Sequence, residues 1–140
     1  CFLDKGTEMK KVIFACVHSA GRSQMAAAFF NHLTDVTKFK AVSAGTQPSD
    51  RVHPEVVIIM QEIGIDLSEI KPQLLTEELA ASANLLVTMG CEENCPYVPD
   101  LEIIDWDLQD PKGKDLETVR KIRDQIKNLV SDLVKSKKWQ

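Results

Sequence analysis

Apolar positions along this chain follow two rhythms. "KKVIFAC" (10–16) is a short uninterrupted apolar run rich in β-branched residues, the pattern of a strand buried on both faces. Arg22 to Leu33 instead repeats Met25, Ala26, Phe29, Phe30 and Leu33 at helical spacing. "FKAVSAG" (39–45) reads as a second strand stopped by Gly45. "SDRVHPEVVIIMQEIG" (49–64) puts Pro54 at a helix start, Val56, Val57, Ile59, Met60 and Ile63 on a buried face, and Gly64 as the C-cap. "TEELAASA" (76–83) predicts a short helix capped by Thr76. "NLLVTMG" (84–90) and "LEIIDW" (101–106) predict a third and a fourth buried strand. Asp115 to Val134 predicts the longest helix, with Leu116, Val119, Ile122, Ile126, Leu129 and Leu133 inward.

Strands alternating with helices predict an α/β three-layer sandwich around a four-stranded parallel sheet. The length of 140 residues suits one domain. Residues 10–140 are assigned to it, with 1–9 as an extension, natural or an expression remnant, ahead of a possible start at Met9. The net charge of −4 gives no general attraction to nucleic acid or an anionic membrane. No run approaches the roughly 18 apolar residues of a membrane span. A monomer is expected. The four cysteines, Cys1, Cys16, Cys91 and Cys95, do not form a disulfide framework and point to a reducing, cytoplasmic setting.

Ligands of such sheets bind beyond the carboxyl ends of the strands. That directs attention to the loop after the first strand, Cys16, Val17, His18, Ser19, Ala20, Gly21 and Arg22, followed by Ser23. Amides of a strand-to-helix turn can converge on an anion, and the helix dipole adds positive potential there. Arg22 offers a planar fork of donors to a tetrahedral oxyanion. The same field favours the thiolate of Cys16, since helix N-termini and cations lower a cysteine's usual value of about 8.5. Ser23 is placed to hydrogen-bond that sulfur. Against this stands an inert core cysteine in an ordinary turn, because C-x5-R alone arises by chance. His18 is open between tuning Cys16 and simply facing solvent.

"CVHSAGRSQMA", "VSAGT", "GIDLS" and the Asp-Pro before the last helix resemble the low-molecular-weight protein tyrosine phosphatase superfamily, and within it the arsenate reductase branch of thioredoxin-coupled type or a close relative. The resemblance runs from Lys10 to about Leu133. It implies a phosphatase-like parallel sheet, a nucleophile at Cys16 and an oxyanion-binding arginine at Arg22. Many members carry Asn where this chain has Ser19. Serine accepts a left-handed backbone less readily, so a looser or more anion-dependent loop is expected. Asp110, before Pro111, matches the family's general acid and suits protonation of a leaving oxygen. Asp105, Asp107 and Asp115 compete with it, though none precedes proline.

"TMGCEENCPYVP" adds a pair of thiols after the third strand. If Cys91-x3-Cys95 turns helically, the two face one side about 6 Å apart, within disulfide reach. Two buried loop cysteines, or half of a zinc site remote from His18 and His53, are the competing readings. The resemblance implies a relay in which Cys16 attacks arsenate, Cys91 attacks Cys16 and Cys95 resolves the disulfide. Familiar thioredoxin-coupled members space this pair more widely. The expected reductant is external, either thioredoxin or a low-molecular-weight thiol with glutaredoxin or mycoredoxin, and no cofactor is tightly bound. Lys112-Gly113 stand where the phosphatase branch places aromatic residues, which favours arsenate or a phosphate-like small anion over phosphotyrosine. Ala27 occupies a position where some relatives use an acidic cation ligand, so no metal is expected. The alternatives are hydrolysis of phosphomonoesters through a Cys16 phosphoenzyme, or a non-catalytic oxyanion-binding or redox-sensing module.

Overall fold

The computed structural model describes residues 10–16, 18–35, 37–89, 101–109, 111, 113–137 and 139. Its elements run β1 (Lys10–Cys16), α1 (Arg22–Leu33), β2 (Phe39–Gly45), α2 (Pro54–Gln61), α3 (Glu77–Ala81), β3 (Leu85–Thr88), β4 (Glu102–Asp105) and α4 (Leu116–Lys137). The strands form one four-stranded sheet in the order β2-β1-β3-β4, with every pairing parallel. The α/β sandwich expected from the apolar rhythm is therefore present.

Alternation along β1 divides the core. Val12, Phe14 and Cys16 face α1, α2 and α4, packing with Phe30, Met60 and Ile126. Ile13 and Ala15 face the opposite layer, with Leu75, Ala80 of α3 and Leu86. The two outer layers are thus unequal. Phe14 and Phe30 are fully buried, with ring centroids 5.9 Å apart, and each such side chain contributes about 1.5–3 kcal/mol of burial.

The helix ends follow their residues. Thr76 caps α3 by accepting from the Leu79 amide. Ile65 N–H reaches Met60 O while Gly64 N–H reaches Gln61 O, the paired bonds of a Schellman turn with Gly64 at φ +83°. Three expectations of burial fail. Ile63 is 43% exposed, because α2 ends at Gln61 and the turn carries residue 63 off the helical period. Leu33, in the last turn of α1, is 39% exposed. Ile103 is 45% exposed because β4 is an edge strand, not a buried one; Ile104 alternates onto the core and Glu102 pairs with Lys137. On α4, Val130 and Val134 are buried, while Leu116 and Leu129 pack at the core margin. Among the described residues, no helix is long and apolar enough to cross a membrane.

Candidate active site

Parallel pairing brings the carboxyl ends of the strands together. Cys16 is in register with Gly45, and Ala15 with Thr88. Met89 N–H continues the ladder to Ala15 O at 2.7 Å, so β3 leaves the sheet beside Cys16. The thiol is 2% exposed, at the base of the loop leading into α1.

The loop carbonyls are engaged from outside. Ser49 N–H donates to His18 O and His53 N–H to Ala20 O, both at 2.9 Å, and Gln24 Nε2 donates to Ser19 O at 2.8 Å. No side chain caps the first amides of α1, whose N-cap is Gly21. Such an arrangement suits an anion at the helix N-terminus. Ser19 takes φ +53°, the one positive-φ residue other than glycine among those described. The left-handed backbone anticipated at that position is real, and Ser19 Oγ is braced at 2.8 Å from Ser43 Oγ.

Ser23 Oγ lies 2.9 Å from Cys16 Sγ, the contact expected from sequence. Arg22 is 8% exposed, and its Nη1 donates to Leu108 O at 3.0 Å. His18 is half-buried, with Nδ1 3.1 Å from Gln47 O. Of the loop, Val17 lies outside the described residues, as do Asp110, Cys91 and Cys95. Pro111, however, is buried against the loop, since a methyl group on Gly21 would stand 2.9 Å from its Cγ. Leu108 and Pro111 are therefore both in contact with the oxyanion loop.

Two of the competing aspartates are engaged elsewhere. Asp105 accepts from the Thr88 hydroxyl at 2.7 Å, joining the ends of β3 and β4. Asp115 accepts from the Thr118 amide at the start of α4, and hydrogen bonding from the Thr118 side chain, more than from that amide, holds its carboxyl below the usual range. Asp107 is exposed. Among the described residues no group of three His, Cys, Asp or Glu could hold a metal ion. A cavity of about 230 Å³ lies behind the loop, lined by Gln24, Asn31, Ser43, Lys71 and Gln73 but by neither Cys16 nor Arg22.

Sequence reasoning missed Ser43, Gln24 and the Leu108 carbonyl. Ser43 had a signal: it is a hydroxyl in the apolar "VSAG" strand, in register with Phe14. The Leu108 contact had none, because it joins residues 86 apart through a backbone atom.

A parallel sheet whose first loop sets a buried cysteine, uncapped helix amides and an arginine together has the chemistry to hold an oxyanion beside a thiol. The chain belongs to the low molecular weight phosphotyrosine protein phosphatase family, whose model matches residues 11–140. Within it, the chain is 40% identical over 124 residues to a putative arsenate reductase of Halobacterium salinarum, covering 86% of this chain and 87% of the relative. It is 36% identical over 129 residues to the glutaredoxin arsenate reductase of a Synechocystis species, covering 90% and 97%. The solved thioredoxin-dependent arsenate reductase of Corynebacterium glutamicum superposes with a TM-score of 0.80 at 34% identity. That match covers 93% of this chain but 62% of the solved one.

Proposed function

We propose that the protein reduces arsenate to arsenite, with Cys16 as nucleophile. The observation that carries this reading is the exit of β3 beside Cys16: Met89 is hydrogen-bonded to Ala15, and Cys91 comes two residues later in sequence. A hydrolase of this family needs one thiol. A reductase needs further thiols, and the sequence supplies them after this strand. The names of the relatives support the same reading.

In this mechanism the amides of residues 17–23 and the Arg22 guanidinium bind the oxyanion. The Cys16 thiolate attacks arsenic and forms an S–As bond, while Asp110 protonates a departing oxygen that leaves as water. Cys91 thiolate then attacks Cys16 Sγ. The S–As bond breaks, its electron pair passes to arsenic, and arsenite leaves as a Cys16–Cys91 disulfide forms. Cys95 exchanges into this disulfide, freeing Cys16 and giving Cys91–Cys95. An external dithiol of thioredoxin type, or a low-molecular-weight thiol with glutaredoxin or mycoredoxin, returns the two electrons.

The test is arsenate-dependent NADPH oxidation with thioredoxin and its reductase, and in parallel with the glutaredoxin system. Wild type should turn over, while Cys16→Ser, Cys91→Ser and Cys95→Ser should each lose steady-state turnover. Full activity in Cys91→Ser and Cys95→Ser would eliminate the relay. The second reading, phosphomonoester hydrolysis through a Cys16 phosphoenzyme, is favoured by the family description itself. Brisk aryl phosphate hydrolysis by a wild type silent toward arsenate with every donor would establish it instead.

A further inference from the structure

The segment between β2 and α2 is fastened to the oxyanion loop twice. Ser49 N–H donates to His18 O and His53 N–H to Ala20 O, both at 2.9 Å, and His53 Cδ2 lies against Gly21. Arg51 stands between these anchors. Two residues of chain span at most about 7 Å, so the Arg51 Cα is within that distance of His53. Beside this segment opens a groove of about 300 Å³, lined by Arg51, Val52, Pro54, Val57, Ile58 and Ser68.

The groove has a mixed chemistry. Val52 is buried, Ile58 is 49% exposed, and Arg51 and Ser68 are exposed. Among the described residues no carboxylate forms an ion pair with Arg51. Ser68 N–H donates to Asp66 Oδ1 at 2.9 Å, so an acid stands behind the Ser68 lining. A guanidinium takes a carboxylate through paired donors, the apolar wall takes a carbon chain, and the acid favours an ammonium. A small zwitterionic molecule presents all three. The volume is at the lower limit of small-molecule sites, about 300–1,000 Å³. A stable protein interface takes roughly 20–30 residues from each side, far more than line this groove.

We infer that the groove binds the low-molecular-weight thiol that returns electrons to the enzyme, a peptide thiol of about three residues with one carboxylate on Arg51 and its carbon chain on Val57 and Ile58. Three residues extend about 10 Å, enough to reach from Arg51 past His53 to the oxyanion loop. The inference rests on the reductase reading and selects between the two classes of donor named there. The exchange balances: two such thiols give up two electrons and two protons, join in one disulfide, and reduce one enzyme disulfide to two thiols, with glutaredoxin as carrier.

The test titrates S-methylglutathione, which keeps both carboxylates but has no reactive thiol, into the full reduced chain and follows backbone amides by NMR. The amides of Val52, Val57, Ile58 and Ser68 should shift saturably. Arg51→Ala should weaken the dissociation constant about three- to tenfold, a loss between that of an exposed ion pair and that of a charge-assisted hydrogen bond. Ile58→Glu sets a carboxylate on the apolar wall and should weaken it at least as much. The diethyl ester of the probe, with both carboxylates masked, should bind wild type no better than the parent probe binds Arg51→Ala. Both substitutions fall at exposed positions outside the catalytic machinery, so thioredoxin-coupled turnover should be unchanged in each.

No saturable shift, shifts confined to the oxyanion loop, or a dissociation constant that neither substitution changes would overturn the inference. So would groove shifts with thioredoxin and none with S-methylglutathione, which would make this face a protein-docking surface. The titration contains no arsenate, so its failure is distinct from failure of the reductase reading, which the turnover assay decides.

Discussion

Gly21 and Pro111 are in closest approach where the oxyanion loop meets the Asp-Pro loop: a methyl group on Gly21 would stand 2.9 Å from Pro111 Cγ and 3.4 Å from His53 Cδ2. Gly21 does not occupy a left-handed backbone, and the approach of Pro111 limits the space for a Cβ there. Together with the Arg22–Leu108 bond, this contact ties Leu108 and Pro111 to the oxyanion loop.

In the mechanism proposed above, where Asp110 is the acid, Gly21→Ala should push Pro111 away from the loop and lower turnover without abolishing the fold. Turnover is expected to fall between about ten- and a hundredfold, the cost of misplacing a reacting group by an ångström or less. Overpacking should lower stability by about 1–3 kcal/mol. Steady-state kinetics with thermal melting checks both, and wild-type turnover in the variant would refute the spacing argument.

Arg22→Lys keeps the charge but loses the planar fork. A single ammonium cannot both reach Leu108 O and present two parallel donors to an oxyanion. Affinity for inorganic phosphate should fall about ten- to a hundredfold, the range of one or two charge-assisted hydrogen bonds. Calorimetric titration with phosphate measures this directly. An unchanged dissociation constant would show that the backbone amides alone hold the anion.

The fold was legible because its determinants are local. Continuous runs at 12–15 and 85–87 required strands, and the 3.6-residue rhythm of 116–134 required a helix. The errors fall where tertiary position decides burial. Nothing in "LEIID" says that β4 has a neighbour on one side only, and nothing in "MQEIG" says that the helix stops two residues before Ile63. The same division holds at the site. Cys16, Arg22 and Ser23 stand in one motif, and Ser23 meets the sulfur as its spacing suggested. Ser43 and Leu108 reach the motif from other strands and loops, and only sheet order brings them there. Ser19 lies between these cases. Its backbone conformation was implied by the family resemblance, but its hydroxyl partner Ser43 was not.

Gly64 gives a separate test of the helix-end argument. Open space surrounds its Cα, so a Cβ meets nothing within 4 Å and the only penalty is φ +83°. Gly64→Ala should lower stability by about 1 kcal/mol, a fall of about 3–4 °C in Tm for a domain of this size. Arsenate turnover at 25 °C should be unchanged. No change in Tm would mean that the Schellman turn is not held in solution.

Glu62 connects the end of α2 to α4 through Arg120, at 2.6 Å, and Arg123, at 3.2 Å. The hydrogen bond from Arg120 holds the Glu62 carboxyl below the usual glutamate range, against a smaller opposing effect of desolvation. A carboxyl lowered in the folded state stabilises that state fully only above its unfolded value, about 4.3 for glutamate. The contribution is lost as pH falls through the lower folded value. Glu62→Gln should therefore melt below wild type at pH 7, and the gap should narrow from about pH 4.3 downward as wild-type Glu62 protonates. Because the pair is solvent-accessible, the gap should be small and should shrink further in 1 M salt, where the screening length is about 3 Å. Melting curves of both proteins at pH 7, 5, 4 and 3, with and without salt, measure the trend. A gap that widens on acidification would show that another group, and not the Glu62–Arg120 pair, governs acid sensitivity at this helix junction.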